Sequence, residues 1–185
     1  MMTYPMTIAG VKRELPLCPL NDSLMIGAFV IFGDVELTIA CADALLKKAP
    51  EYDYIITAES KGIPLAYEMA RQAGTNKYLL ARKAPKLYMQ DVFSVTVNSI
   101  TTAKEQKLYL DGADAALMKG KRILLVDDVI STGESLKALE ALVEKAGGIV
   151  CGKMAILAEG DAIDRKDLIY LEKLPLFNPD GTIMA

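Results

Sequence analysis

The sequence of 185 residues contains no histidine and no tryptophan, and its three cysteines, Cys18, Cys41 and Cys151, lie far apart. Without histidine, Ser-His-Asp hydrolysis, Cys-His proteolysis and His-ligated zinc are excluded. The cysteines form neither a CxxC pair nor a metal-ligand spacing, and read as small buried thiols of a reducing compartment. An excess of basic charge is also missing: 21 Lys and Arg face 24 Asp and Glu, a formal charge of −3. No global basic field therefore recruits nucleic acid or an anionic membrane, and an anionic ligand has to be held by local geometry. No apolar run approaches bilayer-spanning length, and Met1 to Pro16 has no signal-peptide core and carries Lys12 and Arg13. Together these absences predict a cytoplasmic protein.

What is present is an ordinary globular balance, 52% hydrophobic and 24% charged, in a chain long enough for one substantial core and too short for two ordinary domains. No repeat, low-complexity tract or linker divides it. From Val35 to Ala49, apolar residues recur at mostly helical spacing until Pro50. Tyr54 to Ala58 then reads as a buried strand, and Ile63 to Ala73 as a helix with Pro64 in its first turn and Gly74 closing it. Tyr78 to Ala81 is a second strand. The pattern returns as a strand over Ile123 to Val126, a helix over Glu134 to Ala146 and a strand over Ile149 to Ala158. Repeated strand–helix–strand units with strands apolar on both faces predict an α/β fold, a single-domain parallel sheet flanked by helices. Its ligand belongs at the C-terminal strand ends. Between Arg82 and Lys121 no clean helix is expected; Val92 to Val97 and Lys107 to Leu110 instead suit an antiparallel hairpin, an insertion of lid length.

Polar residues cluster where that fold predicts a site. In Ile123 to Ser135, a strand delivers Asp127 and Asp128 to the sheet edge, and Ser131-Thr132-Gly133-Glu134-Ser135 follows at a helix start. Amides and hydroxyls at a helix N-terminus suit a phosphate, and Gly133 permits close approach. Paired carboxylates suit a diol instead, so the two together describe ribose 5-phosphate. Asp-Asp alone would describe a solvated strand end; the thirteen-residue pattern is far more specific.

This segment resembles the motif of the type I phosphoribosyltransferases that binds 5-phosphoribosyl diphosphate (PRPP). The resemblance implies that Asp127 and Asp128 hold the ribose hydroxyls and Ser131, Thr132, Gly133, Glu134 and Ser135 the 5-phosphate. Glu134 departs from the family, where glycine is common. Ala58-Glu59-Ser60-Lys61-Gly62 is similar to the diphosphate loop of the adenine and xanthine members, and Arg82, Lys83 and Lys86 to the cations that open their flexible loop. Glu159, with Arg165 a few residues on, matches a strand-end glutamate of the same members, and joins Asp127 and Asp128 as an expected catalytic group. Xanthine-type enzymes carry lysine after that glutamate; Gly160 stands here, which favours adenine. Residues 1–50 would form an N-terminal hood and first helix, and residues 83–106 a lid. Phe29 and Ile130 are the expected base contacts; Asn21, Asp22, Phe29 and Phe32 fit a purine slot, and for the two phenylalanines a place in the core fits equally.

The implied activity is purine phosphoribosyl transfer, adenine plus PRPP giving AMP and diphosphate, with Mg²⁺ arriving with PRPP and no metal ligated by protein side chains alone. Xanthine, hypoxanthine, guanine and orotate are the other acceptors. A homodimer is expected, with no nucleic-acid or membrane partner. The competing reading is a PRPP- or purine-sensing regulator that has lost catalysis. Neither a helix-turn-helix module nor a basic recognition helix is visible, and the lid lysines favour an enzyme.

Overall fold

The computed structural model describes residues 1–98 and 105–184. The chain opens with strands β1 (Thr3–Ile8), β2 (Val11–Asn21) and β3 (Leu24–Gly27), paired antiparallel, and the late strand β11 (Leu176–Phe177) adds to β3 to complete a four-stranded sheet. Helix α1 (Val35–Leu46) follows, its first turn capped by Asp34, whose carboxylate accepts the Leu37 N–H at 3.1 Å. Then come β4 (Tyr54–Ala58), α2 (Ile63–Gln72) and β5 (Leu79–Ala81). Strands β6 (Phe93–Asn98) and β7 (Glu105–Leu110) pair antiparallel. Helix α3 (Gly112–Leu117), β8 (Arg122–Ile130), α4 (Glu134–Lys145), β9 (Ile149–Glu159), a 3-10 turn at Gly160–Asp164 and β10 (Ile169–Leu174) complete the order.

The central sheet has the order β10-β9-β8-β4-β5, and every pair in it is parallel. Its interior strands are apolar on both sides because both faces are covered, and Ile123 to Val126 of β8 are fully buried. One face packs on α3, α4 and the β6–β7 hairpin through Leu110, Met118, Leu139 and Leu142. The other packs on α1 and α2 through Leu37, Leu45, Leu65 and Met69. The first sheet joins that second cluster through Ile8 and Leu15, so the hood is anchored to the same core. Arg13 of β2 also grips Asp34 at the start of α1 through Nε and Nη2, at 2.7 and 2.8 Å.

The α/β fold with its parallel sheet, hood and antiparallel insertion is thus the predicted one, with three differences. Strand β8 runs four residues beyond Val126, so Asp127 and Asp128 belong to the strand and not to the loop. The stretch between Arg82 and Lys121 does hold a helix, the short α3, capped by Asp111. The hood is not built from the first fifty residues alone, because the C-terminal β11 closes it. The predicted lid, 83–106, is described as far as residue 98 and from 105; its middle lies outside the described residues.

Candidate active site

Two of the helices begin without a side-chain cap. Helix α2 starts after Gly62 and α4 after Gly133, and neither glycine caps its helix through a side chain, in contrast to Asp34 of α1 and Asp111 of α3; at α4 the Glu134 N–H instead donates to Thr132 Oγ1 at 3.4 Å. The amides of a helix's first turn carry a partial positive charge that favours an anion. The loops ahead of both helices open into one cavity of about 400 Å³ at the C-terminal ends of β4 and β8. Ser60 and Lys61 line it from the first loop, and Ser131 and Ser135 from the second.

Between these loops lie the two carboxylates. Asp127 Oδ1 accepts the Asp128 backbone N–H at 2.9 Å. Asp128 is 4% exposed, and its Oδ2 has no hydrogen-bond partner; Lys61 Nζ is 3.7 Å away. Burial, and then the neighbouring Asp128 charge, push the Asp127 carboxyl far up from its ordinary value, to about 8. A buried acceptor without a donor is costly, and a ligand offering hydroxyls or a cation would relieve it. Gly62 presses against this pair: a Cβ there would collide with the buried Thr57 hydroxyl and lie 3.1 Å from Asp127 Oδ1. Glycine is therefore required for the first loop to pack on the acidic strand.

Glu59 is held from two sides. Its Oε2 accepts the Lys83 N–H at 2.9 Å and its Oε1 pairs with Arg82 Nη2 at 3.0 Å. These bonds, the backbone N–H first, hold its carboxyl below the usual range. Arg82 donates its Nη1 to the Tyr88 hydroxyl at 2.8 Å. Lys83 lines the cavity, whereas Lys86 stands outside the lining. Across the cavity, Glu159 lies at the end of β9; burial raises its carboxyl, and the Lys61 charge works against that rise. The lining also includes Ile26 to Val30, Val129 and Leu174, with Leu108 and Gln106 from β7.

The phosphoribosyl transferase domain pattern matches residues 36–170. The chain belongs to that family. A hypoxanthine/guanine phosphoribosyltransferase of Methanocella paludicola is 31% identical over 162 residues, 87% of this chain and 77% of the relative. An adenine phosphoribosyltransferase of Bifidobacterium longum is 34% identical over 166 residues, 86% of this chain and 83% of the relative. Among solved structures, adenine phosphoribosyltransferase from Thermoanaerobacter pseudethanolicus superposes with a TM-score of 0.71 at 22% identity, over 86% of this chain and 95% of that one. This phosphoribosyltransferase is accordingly an enzyme of the PRPP-dependent glycosyltransferase class.

In this phosphoribosyltransferase the cavity gathers Phe29, Glu59, Ser60, Lys61, Lys83, Asp127, Asp128, Ser131, Ser135 and Glu159 from the predicted set. Ile130 is not among them. Its side chain is 2% exposed in the core beside Leu136 and Ala158, and Val129 faces the cavity in its place. Thr132, Gly133 and Glu134 form the turn behind Ser131 without lining the cavity, and Arg82 is engaged by Glu59 and Tyr88. Asn21 caps its own turn to Ser23, and neither Asp22 nor the half-exposed Phe32 reaches the cavity lining. Sequence reasoning missed the backbone run Ile26 to Ala28, Leu174 and the buried Thr57. The alternating pattern of the hood strands was the available signal, and Pro5, Pro16 and Pro19 obscured it.

Proposed function

We propose that the enzyme transfers the phosphoribosyl group of PRPP to adenine, giving AMP and diphosphate, as a purine salvage activity. The observation that carries this reading is the acidic pair, whose buried Asp128 Oδ2 accepts no hydrogen bond, set between two glycine-started helices whose leading loops open into one cavity. That arrangement suits one ligand with a diol in its middle and a phosphate group at each end. Asp127 and Asp128 accept the ribose hydroxyls. The loop of Ser131 to Ser135 takes the 5-phosphate, and Ser60, Lys61 and Lys83 take the diphosphate. Glu59 and Arg82 serve as a brace, since each already answers the other and a carboxylate does not bind diphosphate.

The bond from the anomeric carbon to diphosphate breaks, its electron pair leaves with the diphosphate, and a ring nitrogen of the base forms the new bond and loses its proton. Positive charge develops on the ribose ring, and the two aspartates stabilise it as the site excludes water. Among the described residues no three His, Cys, Asp or Glu side chains gather to hold a metal; on this reading Mg²⁺ arrives with PRPP. The oxygen donors of Asp127 and Asp128 would fit it, since a hard, partly hydrated cation would draw the proton from Asp127 and leave two carboxylates facing it. When bound, it supplies charge neutralisation for the diphosphate.

The base side of the cavity is apolar apart from main-chain groups and Glu159, with no lysine after that glutamate. An acceptor such as Glu159 suits an exocyclic amino group better than a carbonyl-rich edge, which favours adenine over xanthine and hypoxanthine, neither of which carries one. The β6–β7 hairpin serves as the lid. We further infer a cytoplasmic homodimer. Among the described residues no helix is long and apolar enough to cross a membrane. The Asp127→Asn, Asp128→Asn double variant tests the site: loss of AMP formation is expected, and full activity would overturn the assignment.

A further inference from the structure

Arg165 has no part in the cavity lining, yet it lies against the loop that the reading above gives to the 5-phosphate. Its Nε and Nη2 are taken by Asp167, at 2.9 and 2.8 Å, a bidentate hold that fixes the plane of the guanidinium. That leaves the Nη1 edge turned to the loop. Gly133 has a φ of +78°, and a Cβ built on it would collide with Arg165 Nη1. The guanidinium therefore rests on the backbone of the residue that starts α4. The hold is itself braced: Asp167 also pairs with Lys153 at 3.0 Å, and Lys153, only 13% exposed, pairs with Glu140 of α4 at 2.7 Å. One chain of ion pairs thus ties the segment after β9 to the helix whose first turn forms the loop.

Charge gives this contact a purpose. The cations that line the cavity are Lys61 and Lys83, both in the diphosphate segments. Among the described residues no cation lines the Ser131 and Ser135 end, and its loop carries the acidic Glu134. A phosphate bound there meets amides and hydroxyls, with Arg165 behind them as the adjacent fixed positive charge. We propose that Arg165 is a positioning residue for the 5-phosphate: packed on Gly133, it holds the Ser131–Ser135 loop in its anion-accepting shape and supplies positive potential to that end of the site. The same contact gives a second reason, beyond the left-handed backbone, for glycine at position 133.

The inference rests on the reading of this loop as the 5-phosphate site, so the experiment pairs Arg165 with a residue of the loop. Steady-state kinetics with PRPP, Mg²⁺ and adenine, together with thermal melts, are recorded for Arg165→Gln, Arg165→Lys and Ser135→Ala. Arg165→Gln is expected to raise KM for PRPP about tenfold, the size of a lost charge-assisted contact. KM for adenine should stay within about twofold, as the base end is untouched, and Arg165→Lys should recover part of the loss by restoring charge without the fork. Ser135→Ala should also raise KM for PRPP. If Ser135→Ala has that effect and Arg165→Gln does not, the positioning role is wrong and the loop assignment stands. If neither variant moves KM for PRPP, the loop assignment falls and the inference with it. Equal losses for both substrates with a lowered melting temperature in Arg165→Gln and no recovery in Arg165→Lys would reduce Arg165 to a structural ion pair and overturn the proposal.

Discussion

Replacing Asp127 by asparagine should stabilise the unliganded protein while it destroys activity. Two like charges in contact repel by a few kcal/mol at an effective dielectric constant near 20, about 4 kcal/mol at about 4 Å. Burial adds to this, and Asp127 responds by holding its proton to a pH of about 8. Because the folded state binds that proton more tightly than the unfolded chain, this group stabilises the fold fully below its unfolded pKa near 4. The contribution is lost as pH rises through about 8. Asparagine keeps the oxygen that accepts the Asp128 N–H and removes the charge. At pH 8.5 the variant should therefore gain about 2–3 kcal/mol, or about 5–10 °C in melting temperature for a chain of this length. At pH 5, about one unit above the unfolded pKa, the gain should shrink to about a third of its value at pH 8.5, and it should disappear only below about pH 4. Differential scanning fluorimetry across pH 5 to 9, without PRPP or metal, reads this directly. A variant that melts below the wild type at pH 8.5, or a gain that does not depend on pH, would refute the account of a strained acidic pair.

Gly62→Ala forces a methyl group into the Thr57 hydroxyl and against Asp127. It should cost about 1–3 kcal/mol in stability by overpacking and more than tenfold in kcat/KM, with partial recovery in Gly62→Ala, Thr57→Ala, all read by melts and kinetics. Arg82→Ala leaves Glu59 with the Lys83 N–H alone and should lower stability by about 1–2 kcal/mol in denaturant titrations. Arg82→Lys should recover little, since one ammonium cannot serve Glu59 and Tyr88 in the fixed geometry of the guanidinium. Glu159→Gln should lower kcat/KM for adenine about tenfold at pH 8 and less at pH 5.5. The reason is the sign of the shift: burial raises the Glu159 carboxyl, so the wild-type side chain is increasingly neutral as pH falls and then resembles the variant. An equal loss at both pH values would count against a role for its ionised form.

The parallel core was legible because its strands are buried on both faces. Tyr54 to Ala58 carries that signal without interruption and has the predicted limits. The length of β8 was not, since Asp127 and Asp128 look like the end of a strand in sequence. Pairing with β9 carries the ladder through them, as Asp127 lies opposite Ala155 and Ile130 opposite Ala158. That added length explains why Ile130 is core and Val129 faces the cavity. The hood resisted prediction for a different reason: its strands contain Pro5, Pro16 and Pro19, and it is completed by Leu176–Phe177 from the far end of the chain. No local pattern announces a pairing between residues so distant. For the site, the residue types were readable but their partners were not. The engagement of Arg82 with Glu59 and Tyr88, and the contact of Arg165 with Gly133, arise only when separate loops meet.

The most direct test of the central claim is a base screen. Purified protein is given PRPP and Mg²⁺ with adenine, hypoxanthine, guanine, xanthine or orotate in turn, and diphosphate release is followed. Turnover with adenine, at a kcat/KM at least about tenfold above any other base, is the predicted result; at equal concentrations this corresponds to a discrimination of about 1.4 kcal/mol. Preferred turnover of an oxo-purine or of orotate would contradict the reading of Glu159 and Gly160. Release with none of the five would contradict the proposed reaction itself.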